Sequence, residues 1–293
     1  MLLRFGVGNH LSIRDYQELL LSASRRIKRE GLTMPVPTLQ EDVVPLAAIY
    51  GPNAAGKSNL ISALDEIRRA VIRSHKDLDA TDPIPRYPFR LDDESPTSPT
   101  QFDCTFTLGG RSDDEFENVY EYGFEYTAKE FEREWLYQTV RKQRQSTQLL
   151  FERKTENGQV QVNCGSELRG ENRLIEKITR PNSLFLSAAA QNNHPKLTDI
   201  YRYFAKRWRV IPHETAMEEA AVVQRLLDYP HMKQLLQLVQ QADVGITDID
   251  LQGVQPNQYQ LDFAQNVVGA MSEIIRPEID TEAIGQRVLD KLR

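Results

Sequence analysis

The sequence predicts an α/β fold built around one strand, one glycine-rich loop and one helix that follow each other directly. The first observation is the short apolar run at residues 46–50, which is typical of a buried strand. The second is the loop at residues 51–59, which reads G-P-N-A-A-G-K-S-N. The third is a helical spacing of apolar residues over residues 60–72.

The loop has the pattern G-x-x-x-x-G-K-S, which binds phosphate groups. Its glycines let the backbone turn so that successive N–H groups point inward at an anion. We expect the amides of residues 53–58 to cradle the phosphates of a nucleotide, Lys57 to reach the β- and γ-phosphates, and the Ser58 hydroxyl to coordinate Mg²⁺. The candidate nucleotide-binding residues are Gly51, Asn53, Ala54, Ala55, Gly56, Lys57 and Ser58, with Lys57 also the candidate catalytic residue.

The helix predicted after the loop has two distinct faces. Its apolar face carries Leu60, Leu64, Ile67 and Val71, at spacings of four, three and four. Its polar face carries Asp65, Glu66, Arg68 and Arg69, which we expect to lie in water. Such a helix packs one side against a sheet and exposes the other.

Length and composition indicate a folded protein with a substantial core. The chain has 293 residues, 40% of them hydrophobic, which fits one large domain or two modest ones. Its net charge of −6 gives no overall attraction to nucleic acid or anionic membranes. The two cysteines, Cys104 and Cys164, each lie in a predicted strand and favour free thiols in a reducing compartment. No window is apolar enough for a membrane span, and we expect a cytoplasmic protein.

The remaining elements fall into two predicted domains, residues 1–166 and 167–293. In the first, residues 2–7 and 17–22 predict an N-terminal hairpin, and proline-rich loops follow at 82–88 and 92–99. Alternating residues over 101–162 then predict an antiparallel meander, with turns at 109–110 and 157–158. In the second domain we expect helices at 171–179, 195–206, 215–228 and 232–242, a strand at 244–251 and one or two helices in 266–293.

Aromatic residues alternate along the meander. Phe102 and Phe106 belong to one predicted strand, and Tyr120, Tyr122 and Phe124 to the next. One face of a sheet collects every second residue, so these rings share a face. We interpret them as sheet core in preference to a platform on which bases stack.

The loop and several later segments resemble one family of proteins. The sequence G-P-N-A-A-G-K-S-N, after an N-terminal strand and the segment N-H-L-S-I-R-D at 9–15, is similar to the ATP-binding heads of the RecF and SMC-like branch of the ABC ATPases. Further markers are similar to those of stand-alone prokaryotic ATPases of this branch, some of which serve abortive-infection and other anti-phage systems. These markers are Y-E-Y-G-F at 120–124, E-W-L at 134–136, L-L-F-E-R at 149–153, S-L-F-L-S-A-A-A-Q at 183–191 and A-D-V-G-I at 242–246.

This resemblance implies a P-loop NTPase fold with a mixed sheet around the P-loop helix, an adjoining antiparallel meander and a helical lobe. It implies ATP and Mg²⁺ as cofactors, and it adds Asn59 to the nucleotide-binding residues as a cap or flank of the helix start. Heads of this kind dimerise or form higher oligomers with ATP sandwiched between subunits. They hydrolyse ATP to ADP and phosphate and act with a nuclease or toxin partner.

Parts of the hydrolytic machinery of this family are not recognisable in the sequence. No run of four apolar residues is followed by Asp-Glu, the pair that would orient Mg²⁺ and polarise the attacking water. The nearest match, residues 246–250, is interrupted by Thr247 and Asp248. The segment 186–191 outlines an ABC signature without its glycines, and we interpret it as structural. We expect a truncated or naturally short ATPase that binds ATP·Mg²⁺ and turns it over slowly or not at all.

Other functions have weaker support. The D-x-x-G at 250–253 is the only hint of a GTPase, and no N-K-x-D accompanies it. The five histidines are scattered without metal-ligand spacing, and we expect them at the surface or as caps. No G-x-S-x-G motif of a serine hydrolase occurs.

Two alternatives stay open. One is a non-catalytic nucleotide-binding module that organises a partner, and the other is a DNA-binding repair-type ATPase that uses the basic clusters at 25–29, 141–144 and 206–209.

Overall fold

The computed structural model describes residues 1–24, 33–108, 118–141 and 144–210. The chain divides into two units, Met1–Val210 and Ile211–Arg293, and every described residue belongs to the first. Several predictions lie outside the described residues: the turn at 109–110, the basic cluster at 25–29, the helices at 215–228, 232–242 and 266–293, and the strand at 244–251.

Nine strands and four α-helices make up the described fold. In chain order the elements are β1 (Leu2–Gly8), β2 (Gln17–Leu20), β3 (Met34–Val36), β4 (Glu41–Val43), α1 (Lys57–Arg73), β5 (Thr100–Thr107), β6 (Asn118–Tyr126), β7 (Phe131–Arg141), β8 (Gln145–Glu156), β9 (Gln159–Cys164), α2 (Asn172–Ile178), α3 (Phe185–Gln191), α4 (Leu197–Arg202) and a π-helical turn (Tyr203–Arg207). Seven strands form one sheet in the order β2-β1-β5-β6-β7-β8-β9, and β3 pairs with β4 alone.

The N-terminal hairpin and the meander are both confirmed, and they join in the same sheet. Strand β1 pairs antiparallel with β2 on one side and with β5 on the other. The turn between β8 and β9 is also confirmed: Asn157 and Gly158 have φ of 53° and 72°, the pair of left-handed residues that a tight hairpin turn requires.

The inner face of this sheet is aromatic. Phe102 lies opposite Phe124, and Phe106 lies opposite Tyr120, with all four rings buried. The ring of Phe106 also stacks on Tyr203 from the π-helical turn, with centroids 4.3 Å apart. These contacts confirm that the alternating aromatic residues form the core of the sheet.

Helix α1 packs against this aromatic face. Ala63, Ile67 and Val71 are fully buried in the same cluster as the sheet residues, which confirms the predicted apolar face.

The prediction that Glu66 lies on the polar, water-facing side of the helix is wrong, because this residue is only 8% exposed. Glu66 follows Ala63 by three positions and therefore lies on the side of the helix that turns towards the sheet. Burial raises the pKa of this carboxyl group.

The strand predicted at residues 46–50 is not present. These residues have no regular structure and are exposed, with Leu46 83% and Tyr50 90% accessible. A strand needs backbone partners, and no described strand lies beside this segment. The predicted mixed sheet is likewise not found among the described residues, since all their strand pairs are antiparallel.

Three further elements, β3, β4 and α3, were not predicted. Strand β3 contains Pro35, and a strand that pairs on one side only tolerates a residue without an N–H donor. Helix α3 is buried on nearly every side, so it lacks the one-sided apolar spacing by which helices are recognised. The helices expected at 171–179 and 195–206 are confirmed as α2 and as α4 with the π-helical turn.

The elements after residue 166 are fastened to the sheet by a buried carboxylate. Glu134 on β7 accepts hydrogen bonds from the backbone N–H groups of Phe185 and Leu186, at 2.6 and 3.0 Å, and from the Tyr122 hydroxyl at 3.0 Å. The carboxylate thus satisfies N–H groups at the start of α3 that have no partner within the helix. The division after residue 166 stays a prediction.

Among the described helices, none combines the length and the apolar character needed to cross a membrane.

Replacing Glu134 by alanine is expected to lower the free energy of unfolding by about 3 to 5 kcal/mol, because it leaves two buried N–H groups without their acceptor and removes the negative charge opposite the buried Arg153. Urea denaturation measures this change. The control is Glu156→Ala at the exposed end of β8, which we expect to shift stability by less than about 0.5 kcal/mol. Equal effects of the two substitutions would contradict the anchoring role.

Candidate functional site

Two residues of the glycine-rich loop adopt left-handed backbone conformations. Ala54 and Gly56 both have left-handed φ, at 64° and 86°, on either side of Ala55. The N–H of Ala55 donates to the carbonyl of Pro52 at 3.3 Å, which closes the turn. Alternation of this kind forms the backbone concavities that hold anions. The loop runs directly into α1, a 17-residue helix whose N-terminus adds a favourable dipole for negative charge.

Lys57 is the first residue of α1, and its side chain folds back over the loop. Its Nζ donates to the carbonyl oxygens of Gly51 at 2.8 Å and Pro52 at 2.7 Å. These acceptors are neutral and exposed, so an anion that offered charged oxygens would compete well for the same ammonium group. Ser58 follows with its side chain exposed at the first turn of the helix.

The turn between β1 and β2, residues 9–16, touches the start of α1. Asn59 Nδ2 donates to Ser12 Oγ at 2.7 Å. A Cβ atom on Gly56 would lie 2.9 Å from the same Ser12 Oγ, closer than real Cβ contacts allow. Residue 56 is therefore glycine for two reasons, its left-handed φ and the approach of this hydroxyl.

A cleft of about 580 Å³ lies between this turn and the loop. Its walls come from three stretches of the chain: the turn and strand β2, the segment before the loop, and the start of α1. They are formed by Ser12, Ile13, Arg14, Asp15, Gln17, Glu18, Leu19, Ile49, Tyr50, Ala55, Gly56, Lys57 and Leu60. The structure therefore places the predicted loop residues beside the β1–β2 turn and strand β2, which the loop pattern alone did not indicate.

Hydrogen bonds fix the turn in place. Asn9 has a left-handed φ of 53°, and its side-chain nitrogen donates to the carbonyls of Ser95 at 2.7 Å and Ser98 at 2.9 Å, while its side-chain oxygen accepts the N–H of Phe89 at 2.9 Å. On the other side of the sheet, Arg4 forms ion pairs with Glu18 and Asp103. The hairpin is thus held at its tip and along its strands.

His10 belongs to this turn and is fully buried, which makes the expectation of a surface or capping role wrong for this residue. Its ring packs edge-on against Phe102 and Tyr87. Neither ring nitrogen has a hydrogen-bond partner among the described residues. Burial lowers the pKa of His10 to about 4. By contrast, the backbone N–H of Leu197 donates to Nδ1 of His194 at 3.1 Å, which is the capping role expected.

The signature-like segment 186–191 lies far from the loop. It belongs to α3, where the Ser187 hydroxyl bonds to the carbonyl of Val71 near the C-terminal end of α1. At 1.5 Å per residue, this point is roughly 20 Å along the helix from Lys57. The buried position agrees with a structural role for the segment. Both cysteines are free thiols, as expected.

Sequence reasoning did not single out Ser12 as a site residue. Its contact with Asn59 joins positions 47 residues apart, and no local pattern records such a pairing. The only signal was that Ser12 lies inside the segment 9–15 of the family resemblance. Within the described part of the chain, no cluster of three or more His, Cys, Asp or Glu residues could hold a metal ion.

A glycine-rich loop with a lysine and a serine, leading into a long helix beside a cleft, defines a P-loop nucleotide-binding protein. A family comparison agrees with this class. The family described as "AAA domain, putative AbiEii toxin, Type IV TA system" matches residues 46–249, which is more than half of the chain. The chain belongs to this family, an AAA-type P-loop ATPase family of the abortive-infection group. No curated protein matches the chain.

Replacing Gly56 by alanine is expected to cost more stability than the same change at Gly158. Both glycines have left-handed φ, so both substitutions carry a strain of about 1 kcal/mol. A Cβ at Gly158 meets open space, whereas one at Gly56 meets Ser12 Oγ. Urea denaturation should show a larger loss for Gly56→Ala, and Ser12→Ala should recover part of it. Equal losses at the two glycines would contradict the close contact.

His10 is expected to make stability fall on acidification. Its pKa is about 4 in the folded chain and about 6.5 when unfolded, so its contribution is complete above pH 6.5 and is lost as pH falls towards 4. Between pH 7 and 4.5 this loss amounts to about 2 to 3 kcal/mol. Urea midpoints at both pH values should show a smaller loss for His10→Phe. The pKa values of His75 and His194 are also lowered, so some loss remains. Identical losses in both proteins would refute the assignment.

Proposed function

We propose that this chain binds ATP as its Mg²⁺ complex through residues 51–59. The observation that carries the proposal is the pair of left-handed residues, Ala54 and Gly56, directly before a 17-residue helix that begins with Lys57. The loop amides, the helix N-terminus and the Lys57 ammonium group follow one another in the chain, a combination that suits a polyphosphate better than a singly charged ligand. Membership of the family, whose match includes the loop, also supports nucleotide binding.

Each loop residue then has a defined role. The amides of residues 53–58 hold the phosphate oxygens, and Lys57 exchanges the carbonyls of Gly51 and Pro52 for the β- and γ-phosphates. The exposed Ser58 hydroxyl would serve as a ligand of Mg²⁺, a role that fits because Mg²⁺ keeps several waters and takes other ligands from the phosphates. Bound Mg²⁺ neutralises the phosphate charge.

The nucleoside is proposed to lie in the cleft beside the loop. The cleft opens from Gly56 and Lys57 towards the β1–β2 turn, and its volume of about 580 Å³ falls within the range of small-molecule sites. Ile49 and Tyr50 supply apolar surface, and Asp15 and Glu18 supply carboxylates able to accept hydrogen bonds from hydroxyl or amino groups.

The reaction proposed for the family is hydrolysis of ATP to ADP and phosphate, coupled to a partner effector. The comparison links the family to a toxin of a type IV toxin–antitoxin system, which supports a toxin partner. A nuclease as the partner, a role in anti-phage defence and a cytoplasmic location are proposed from the sequence resemblance and composition. We propose that two or more copies close around ATP, because one loop leaves the γ-phosphate open to water. The isolated chain is expected to turn ATP over slowly or not at all, since the sequence has no apolar run followed by Asp-Glu.

The same sequence feature favours one alternative, a non-catalytic module whose nucleotide occupancy organises the partner. Phosphate release, measured with and without the candidate toxin or nuclease, distinguishes the two functions. An ATPase releases phosphate when its partner is present, whereas a non-catalytic module releases none under either condition. A DNA-binding repair-type ATPase is a further hypothesis, and a DNA affinity that falls steeply with salt would support it.

Lys57→Ala is expected to weaken ATP·Mg²⁺ binding by about 10- to 100-fold, because charge-assisted hydrogen bonds to phosphate are lost. Isothermal titration calorimetry of the full chain measures the affinity. Phosphate release by the unmodified chain should not exceed that of the variant.

The matched control is Lys154→Ala, which removes an exposed lysine on β8 and should leave the affinity unchanged. Absence of binding by the unmodified chain at millimolar ATP would refute the proposed function. Turnover that depends on Lys57 would instead show that the chain is catalytically complete.

A further inference from the structure

The Ser12 hydroxyl has one hydrogen bond that fixes its direction. Asn59 Nδ2 donates to Ser12 Oγ at 2.7 Å, so a lone pair of this oxygen points at the start of α1. Asn59 can only donate through this nitrogen, and the hydroxyl must therefore keep its own proton for another acceptor. Among the described residues, Ser12 makes no other side-chain hydrogen bond.

The proton of this hydroxyl is available to the cleft. Ser12 lines the cleft together with Gly56 and Lys57, and its side chain is exposed. Its oxygen lies 2.9 Å from the position that a Cβ of Gly56 would occupy, which places it beside the glycine at the entrance of the helix. A nucleotide atom that contacts the Ser12 hydroxyl beside Gly56 would therefore belong to the phosphate groups, which the loop holds in the proposed function.

We infer that Ser12 is a phosphate-contacting residue supplied by the β1–β2 turn, and that Asn59 is the positioning residue that orients its hydroxyl. This inference rests on the proposed function and adds a donor from outside the loop. It also gives the hairpin a direct contact with the bound phosphate. Because the contact is to phosphate, it is independent of the base.

The experiment compares the affinities of four full-length proteins, the unmodified chain, Ser12→Ala, Asn59→Ala and the double variant, for ATP·Mg²⁺ and GTP·Mg²⁺ by calorimetry. Ser12→Ala should weaken both nucleotides by about tenfold, the effect of one hydrogen bond to a charged group. Asn59→Ala should weaken them by about threefold, and the double variant should match Ser12→Ala to within about twofold, because Asn59 acts through Ser12.

Two further variants separate a contact with the ligand from a merely structural role. Ser12→Thr keeps the hydroxyl and should restore the affinity, although it changes the packing of the turn as much as alanine does. Ser146→Ala removes an exposed serine on β8, four strands away from β1 in the sheet, and should change nothing. Urea midpoints establish that every variant is folded.

The outcomes distinguish this inference from the proposed function. If the unmodified chain binds ATP in a Lys57-dependent manner and Ser12→Ala binds equally well, only the inference fails. Losses that multiply in the double variant, or a loss confined to ATP, would also overturn it, since they indicate independent contacts or a contact with the base. If the unmodified chain binds no nucleotide, both fail.

Discussion

The position of the glycine-rich loop depends on how α1 packs against the aromatic face of the sheet. Ala63, Ile67 and Val71 fix the rotation of the helix about its axis, because each is fully buried in the sheet's core cluster. The loop precedes the helix directly, so this rotation sets the direction in which the loop amides point. A close-packed interior resists small rotations, and the N-terminal end of the helix is therefore held by contacts more than one turn away.

Both ends of α1 are fastened by side chains from distant parts of the sequence. Beyond its C-terminus, Arg180 donates to the carbonyls of His75 at 3.1 Å and Leu78 at 2.7 Å, which complements the negative end of the helix dipole. At its N-terminus, Asn59 bonds to Ser12. The first contact involves the elements after the sheet, and the second involves the hairpin at its edge. A shift of the helix on ligand binding would thus be felt in both regions.

Two features of the loop, the hydrogen bonds of Lys57 and the backbone of Ala54, describe its conformation without a ligand. Lys57 satisfies its charge on two loop carbonyls, and the strained φ of Ala54 persists because the surrounding turn holds it. Phosphate oxygens are stronger acceptors for the same ammonium group than neutral carbonyls. In the proposed ATP site, binding would therefore require the movement of one flexible side chain, that of Lys57.

Local sequence patterns were sufficient to predict the loop, the helix after it, the N-terminal hairpin and the meander, because these depend on local periodicity and on turn residues such as Gly158. They could not show that Glu66 is buried, that residues 46–50 lack a strand partner or that Ser12 touches the start of α1. Each of these outcomes depends on which distant segment lies alongside. A local pattern indicates which secondary structure a segment prefers, but it does not indicate which other segment will lie beside it. A contact such as that between Ser12 and Asn59, 47 residues apart, forms only when the whole core packs.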